Sequence, residues 1–424
     1  MQPVVHSNEL VCGAAALLML VGFSGSALAG TDADGIILNG SPLTLAQSTT
    51  ALSPPALQFQ RDGRLHAAWI EKSGSQGEVK TAAIPADRSP VAQIAVNAPG
   101  GGPEALHQSP GFAIALDGGQ YITWSTANKV PGALFASDLR LARSAAGSEH
   151  FQAPVQVNDD GLAISHTFEH VVAGKDGEVS IAWLDGRNKD RSGASILFAC
   201  SRDHGATVGK NLVLDGMACP CCRPMLAQAP DGGLWAVWRK TFEGNVRDIV
   251  VARSSDHGRS FSAPMLVSQD GWVFDACPHR GPSIAFDARG RLYVGWYTEG
   301  KDEQPRLFVS TSDDQGVTWS IPFALHTATT SLPDNLQLAV HPDGQVVAVW
   351  EEVTGVRKRV VVRVSTDRGQ TFGAMQTLSS GSKGEHPSLA IHDSGAVAFG
   401  WTEHAFPHNR IMVQQGRLPR VGTP

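Results

Sequence analysis

Apolar runs that begin near a glycine and end at a tryptophan recur along the chain. In one copy, Asp343 and Gly344 precede an unbroken apolar run at 346–350. The Asp-Gly pair favours a tight turn because glycine tolerates positive φ, and valine and tryptophan fit a pleated strand, so each copy predicts a β-hairpin. The runs end at seven of the ten tryptophans: Trp69, Trp124, Trp183, Trp238, Trp296, Trp350 and Trp401. These tryptophans are 51 to 59 residues apart, a period that predicts repeated small antiparallel sheets.

A second phrase, Ser-x-Asp-x-Gly-x-Thr-aromatic, follows most of these tryptophans. Its best copies lie at 254–261, 312–319 and 365–372, and a weaker copy at 201–207 lacks the aromatic residue. The aspartate can accept backbone N–H bonds inside a tight turn, and the glycine takes a left-handed conformation. We therefore predict that these aspartates are structural and not catalytic.

This second phrase is the Asp-box, and from about residue 50 onward the chain resembles the sialidase-like superfamily of BNR-repeat β-propellers. The resemblance implies an all-β propeller, and a repeat of about 56 residues favours seven blades, with six as the alternative. Only a strand around 410–418 fits after Trp401. We therefore expect the segment 35–47 to supply the outer strand of the last blade and to close the ring.

The amino terminus predicts export. An apolar run at 11–23 is followed by Ala27-Leu28-Ala29, which is the small-x-small pattern of a signal peptidase site. A run of about 13 apolar residues is too short for a bilayer, which needs about 20. We interpret residues 1–29 as a signal peptide and 30–424 as a single propeller domain. The protein is then expected in the periplasm or outside the cell, in an oxidising compartment.

Composition excludes other classes. The chain is 42% hydrophobic and 17% charged, which is typical of a globular protein and not of a disordered one. Its 34 basic and 40 acidic residues give a net charge of −6, and the basic residues form no block. Nucleic acid is therefore not an expected partner, because phosphate binding requires clustered lysine and arginine.

Two cysteine-bearing loops carry the sharpest candidate chemistry. In propellers, functional groups lie at the channel mouth, on the loops before the innermost strands. Cys219, Cys221 and Cys222 occupy one such loop, and Cys277 and His279 occupy the matching positions of the next. Thiolates with an imidazole could bind copper or zinc. The competing interpretation is a disulfide formed after export, with Cys219 and Cys277 at corresponding positions.

The same loops carry Arg223 and Arg280, and the resemblance implies a second interpretation for them. Sialidases hold the carboxylate of an acidic sugar with arginines, and they use a Tyr–Glu nucleophile pair with an aspartate as acid. Tyr297 with Glu299 or Glu352 is the best pair here, and Asp185 is the candidate acid. Further candidate ligand-binding residues at this rim are Glu352 and His386. The Arg-Ile-Pro-type motif of active sialidases is absent before residue 88.

Three functions stay open. The favoured one is an exported propeller that binds a small molecule, a glycan or a metal ion at its channel mouth through the Cys/His/Arg cluster, without hydrolysis. The first alternative is an exo-α-sialidase-like glycoside hydrolase that acts on acidic sugars. The second is a scaffold or assembly factor that binds a protein partner at the propeller rim. No cofactor is certain, and copper or zinc is the candidate metal.

Overall fold

The regular secondary structure of the described residues consists almost entirely of antiparallel β-strands. The computed structural model describes residues 35–420, except 74–75, 88, 90, 98–108, 134, 188–192 and 382. The predicted signal peptide lies outside the described residues. A single 3₁₀ turn, Glu243–Asn245, accompanies the strands of the described part. Within that part, no helix has the length and apolar character needed to cross a bilayer.

Most strands belong to four-stranded meanders, in which each strand pairs with the next along the chain. The first meander contains β3 (Ala56–Phe59), β4 (Leu65–Ser73), β5 (Gln76–Ile84) and β6 (Ile94–Ala95). The second contains β7 (Gly111–Ile114), β8 (Gln120–Ala127), β9 (Ser137–Ser144) and β10 (Val155–Gln156). Two more meanders contain β19 (Ser283–Phe286), β20 (Leu292–Thr298), β21 (Arg306–Ser312) and β22 (Phe323–His326), and then β23 (Leu332–Val340), β24 (Val346–Thr354), β25 (Arg357–Ser365) and β26 (Gln376–Thr377).

Two meanders in the middle of the chain are joined into one eight-stranded sheet. One contains β11 (His166–Ala173), β12 (Val179–Asp185), β13 (Ala194–Ser201) and β14 (Leu212–Ala218). The other contains β15 (Met225–Gln228), β16 (Leu234–Thr241), β17 (Arg247–Ser254) and β18 (Met265–Leu266). The junction is a pairing of Ala218 on β14 with Lys240 on β16. It lies directly before the Cys219 loop, so this loop is anchored on both sides by sheet.

The remaining sheet combines strands from both ends of the described chain. It contains β27 (Gly384–Ile391), β28 (Ala396–Ala405) and β29 (His408–Arg417), with β1 (Ile37–Leu38) and β2 (Leu43–Ser48) added on the outer side of β29. Both added strands run antiparallel to β29, with Ile37 opposite Arg417 and Leu43 opposite Val413.

The seven repeat tryptophans lie on the second strands and are completely buried. Each one packs into a core shared with the preceding sheet: Trp183, for example, packs with Tyr121 of the β7–β10 meander. Trp69 packs with Ala398 and Ile411, which belong to the sheet of β27–β29. Burial of a large aromatic side chain stabilises a fold by several kcal/mol. The repeat is therefore a packing device between sheets, and the predicted all-β, propeller-like fold is confirmed.

The Asp-boxes form the predicted turns after the third strands. Ser254 Oγ accepts the N–H of Gly258 at 2.8 Å and donates to Asp256 Oδ1 at 2.8 Å. Asp256 in turn accepts the N–H of Ser260 at 2.9 Å and its hydroxyl at 2.6 Å, and these bonds lower the pKa of Asp256. The carboxylates recur in this role at Asp203, Asp314 and Asp367. They are structural, as predicted.

Candidate functional site

Seven strands, the first of each of the six meanders and β27 of the remaining sheet, line one cavity. These strands are β3, β7, β11, β15, β19, β23 and β27, and the cavity has a volume of about 820 Å³. Among the described lining residues there is no carboxylate. The ionisable groups of the lining are His170, Arg223, His279, Arg280, Tyr297 and His386. A cavity with two arginines in a protein of net charge −6 is suited to an anionic ligand.

Four cavity residues have a left-handed backbone although none is glycine. They are Phe168 (φ 60°), His279 (φ 56°), Asn335 (φ 53°) and His386 (φ 52°). Three of them sit at register shifts where the first strand bulges against the second. Such a conformation costs about 1–3 kcal/mol per residue and is concentrated at functional sites. The sequence analysis missed Phe168 and Asn335, because only a positive φ at a non-glycine residue marks them.

Arg280 is stacked on Tyr297 at the cavity wall. The guanidinium carbon lies 4.1 Å from the ring centroid, and Arg280 Nε donates to Asp334 Oδ1 at 3.1 Å. The Tyr297 hydroxyl donates to Glu299 Oε1 at 2.5 Å. Burial and the Glu299 carboxylate raise the pKa of Tyr297, so its hydroxyl stays protonated at neutral pH. The structure thus brings the predicted Tyr–Glu pair into contact beside an arginine.

Arg223 lies in the loop before β15, lines the cavity and is held by Ser109. Its Nη1 donates to Ser109 Oγ at 3.1 Å and its Nη2 to the Ser109 carbonyl at 2.7 Å. The buried Glu169 lies near enough for its charge to act on Arg223, and burial raises the pKa of Glu169. His170 accepts the N–H of Leu226 through Nδ1 at 3.2 Å. Burial, and then the Arg223 charge, lower the pKa of His170 to about 3.

The two cysteine loops meet beside this cavity. The sulfur atoms of Cys219, Cys221 and Cys222 lie within 4.8 Å of one another, and so do the ligand atoms of Cys221, Cys277 and His279. Cys219, Cys221 and Cys222 are buried, whereas Cys277 is exposed. Hydrogen bonding from the other two thiols lowers the pKa of Cys219, and the contact with Cys219 raises the pKa of Cys221.

The cysteines of the described residues are all free thiols, including Cys200. Cys219 Sγ and Cys221 Sγ are 3.9 Å apart, which is far longer than a disulfide bond of about 2.05 Å. Cys200 is buried on β13. Cys219 and Cys277, the predicted pair, are both free thiols, so the predicted disulfide has no support among the described residues.

Two buried arginines connect the cysteine loops, and sequence analysis did not identify either of them. Arg247 Nη1 contacts Cys219 Sγ at 3.4 Å and donates to the Ala276 carbonyl at 2.9 Å. Arg239 Nη2 donates to the carbonyls of Tyr297 at 2.6 Å and Arg280 at 3.2 Å. Arg239 could have been identified from the sequence, because it directly follows the repeat Trp238 at the end of an apolar run, where a charged residue is unusual.

Asp185 and Glu352 lie outside the cavity lining. Asp185 is fully buried, accepts the indole N–H of Trp183 at 3.0 Å and pairs with Arg187 Nε at 2.8 Å. Glu352 accepts the Ser331 hydroxyl at 2.7 Å. His386 does line the cavity, and its backbone N–H donates to Glu351 Oε2 at 3.0 Å. Of these three predicted site residues, the structure places only His386 at the cavity.

The close approach of the two cysteine loops can be tested at Gly281. A Cβ at Gly281 would lie 2.3 Å from the Arg223 carbonyl oxygen, so the loops must separate to admit it. We expect Gly281→Ala to lower the free energy of unfolding by about 1–3 kcal/mol, measured by urea denaturation. The control is Gly381→Ala, where the nearest atom is the Glu403 carboxylate at 3.4 Å. Equal stability of the two variants would contradict the observed loop contact.

The BNR repeat-like domain family matches residues 177–398. No curated protein matches the sequence significantly. Among solved structures, a PL25 ulvan lyase bound to -[GlcA(1-4)Rha3S]- has a TM-score of 0.58 at 9% identity, covering 91% of this chain and 95% of that one. The polysaccharide lyase Uly1 has a TM-score of 0.57 at 12% identity, covering 90% of this chain and all of that one (100%).

The Hadza microbial sialidase Hz136 has a TM-score of 0.50 at 15% identity, and the match covers 84% of this chain and 77% of the sialidase. At these identities the structural likeness shows the fold. The family match spans more than half of the sequence. It agrees with the Asp-box turns and with the tryptophan-packed sheets, and the chain therefore belongs to the BNR-repeat family of the sialidase-like superfamily.

Proposed function

We propose that this chain is an exported propeller that binds an acidic ligand, such as a sugar bearing carboxylate or sulfate, in its central cavity without cleaving it. The observation that carries the proposal is the charge of the cavity lining. It contains two arginines and three histidines, and no carboxylate among its described residues. An anion inside a partly desolvated cavity is stabilised by such a lining more strongly than at an open surface.

Arg223 and Arg280 are the proposed binding groups because their side chains are already oriented. Ser109 holds the guanidinium of Arg223, and Asp334 with the Tyr297 ring holds that of Arg280. A pre-oriented guanidinium loses little rotamer entropy when it binds a carboxylate or sulfate. His386 on the adjoining wall can add a hydrogen bond. The ulvan lyase with a similar fold was solved with a uronate- and sulfate-bearing sugar, which agrees with this ligand class.

The proposal includes a closed ring of seven blades. Seven first strands contribute to one cavity, the core around Trp69 includes Ala398 of the last sheet, and β1 and β2 extend that sheet beyond β29. In this arrangement the eight-stranded sheet counts as two blades joined at Ala218 and Lys240. Closure would leave few unpaired strand edges. Export rests on the signal-peptide pattern at residues 1–29.

Sialidase-like hydrolysis is the second candidate, and one contact favours it. The Tyr297 hydroxyl and the Glu299 carboxylate are 2.5 Å apart, which is the spacing needed for a nucleophile and its base. Against this, the raised pKa of Tyr297 disfavours the phenolate. The candidate acid Asp185 is also engaged by Arg187 outside the cavity lining. We therefore rank binding above hydrolysis.

Calorimetric titration of the full chain tests the binding proposal. The ligand is a glucuronate disaccharide bearing sulfate, with a control in which the carboxylate is reduced to an alcohol and the sulfate is removed. We expect the acidic disaccharide to bind at least 10-fold more tightly than the neutral one, and binding to weaken as salt is added. Arg280→Ala should reduce affinity about 10- to 100-fold. The exposed Arg289→Ala is the matched control.

Equal affinity for the neutral sugar, or unchanged affinity in Arg280→Ala that retains its melting temperature, would refute the binding proposal. The same mixtures, and a fluorogenic sialoside, are analysed for products by mass spectrometry. Intact ligand supports binding without cleavage. Cleavage that is lost in Tyr297→Phe would replace the proposal with the hydrolase candidate.

A further inference from the structure

Four cysteines and one histidine from two loops converge at one side of the cavity. Cys221 belongs to both trios of potential ligand atoms, one with Cys219 and Cys222 and the other with Cys277 and His279, and each trio fits within 4.8 Å. The Cys219 loop follows the junction of β14 with β16, and the Cys277 loop leads into β19. Residues 58 positions apart in sequence therefore form one compact set of soft ligands.

We infer that this cluster binds a thiophilic metal ion, copper(I) or zinc(II), which is a role separate from acidic-ligand binding. Cys219, Cys221 and Cys222 supply the buried sulfur ligands, and Cys277 or His279 completes the coordination. A tetrahedral site with metal–sulfur bonds of about 2.3 Å spaces its sulfurs about 3.8 Å apart. The observed separation of Cys219 Sγ from Cys221 Sγ is 3.9 Å. Thiolate with imidazole is the ligand combination that both ions accept.

The charge around the sulfurs agrees with a thiolate site. Arg247 is buried and its Nη1 lies 3.4 Å from Cys219 Sγ. This cation offsets part of the negative charge that several thiolates would bring to a buried position. Arg247 also donates to the carbonyl of Ala276, the residue before Cys277, so it holds the two halves of the site at a constant separation.

The five candidate ligand residues differ in solvent exposure, and the exposed ones provide an entry path for the metal ion. Cys219, Cys221 and Cys222 are buried, whereas Cys277 and His279 are exposed. The ion would enter past the exposed pair and bind at the buried sulfurs. His279 also lines the central cavity, so the metal lies next to the acidic-ligand site and does not occupy it.

The test uses the full chain, reduced and freed of metal by chelation under anaerobic conditions. Zinc(II) is titrated against a chromophoric chelator, and copper(I) against a bathocuproine sulfonate. Bound metal per chain is then measured by mass spectrometry. We expect one equivalent of one of these ions, with thiolate-to-metal absorption in the ultraviolet. Cys221→Ser, which removes the shared ligand, should weaken binding at least 100-fold, and the double variant Cys277→Ser/His279→Gln, which removes both candidates for the fourth ligand, about 10-fold.

Cys200→Ser is the matched control, because Cys200 is a buried thiol outside the cluster. It should bind the metal as the unaltered protein does. The double variant changes two exposed side chains, so it remains informative if a buried variant fails to fold. The inference is refuted if the reduced protein takes up neither ion stoichiometrically, or if folded Cys221→Ser and the folded double variant bind like Cys200→Ser. These variants retain Arg223 and Arg280, so the sugar titration is judged independently.

Discussion

Replacing Arg239 with methionine is expected to lower the free energy of unfolding by about 3–5 kcal/mol. Arg239 is fully buried, and its guanidinium donates to the carbonyls of Arg247, Arg280 and Tyr297 at 2.6 to 3.3 Å. Methionine has a similar length but no donor, so three carbonyls from three segments, two of them buried, lose the hydrogen bond from Arg239. Each buried acceptor without a partner costs about 1–3 kcal/mol.

Urea denaturation followed by tryptophan fluorescence measures this effect. The Arg239 guanidinium carbon lies 4.9 Å from the Trp272 ring centroid, so the fluorescence of the folded state should change as well. Arg289→Met, on an exposed turn, is the control and should stay within about 0.5 kcal/mol of the unaltered protein. A loss in Arg239→Met no greater than in this control would show that the three carbonyls do not depend on Arg239.

The second large effect is a loss of stability in acid that depends on His170. Its pKa is about 3 in the folded protein, against 6.5 for the ordinary side chain. Between these values the unfolded chain binds a proton that the folded chain rejects, so stability is fully present above pH 6.5 and falls as the pH drops toward 3. Protonation would abolish the acceptor for the Leu226 N–H and place a cation beside Arg223.

Comparison with His170→Gln isolates this contribution. The glutamine oxygen can accept the Leu226 N–H but does not titrate. Between pH 7.5 and 4.5, the unaltered protein should lose about 2 kcal/mol more unfolding free energy than the variant, allowing for the partial exposure of the ring. Burial also lowers the pKa of His66 and His326, and both are retained in the variant. Parallel stability curves for the two proteins would rule out His170 as the source.

The repeats allowed much of the architecture to be predicted from the sequence. The recurring apolar runs that end in tryptophan are sufficient to place the second strands. Their side chains are apolar because they are buried between neighbouring sheets. The Asp-box predicts its own hydrogen bonds, since all its donors and acceptors lie within a few residues. The convergence of the Cys219 and Cys277 loops was also predictable, because equivalent loops of neighbouring repeats lie at the same end of the sheets.

Other parts of the site depend on geometry that residue patterns do not encode. Alternation of side chains does not reveal a bulge, so the inward direction of Phe168 and Asn335 became visible only from their positive φ. Asp185 follows a repeat tryptophan like a rim residue, but its carboxylate is held by the indole N–H and by Arg187. Arg239 could be identified in the sequence as a charged residue on an apolar strand, but its three carbonyl partners come from distant segments.

The sheet of β1, β2 and β27–β29 differs from the others because two of its strand pairings join residues that are far apart in the sequence. Every other meander forms between neighbours, whereas Ile37 must find Arg417 across nearly the whole chain. The entropy lost on closing a loop grows with the logarithm of its length, and contacts of high sequence separation slow folding. We therefore expect the local hairpins to form first during folding, and the pairing of β1 and β2 with β29 to form last and most slowly.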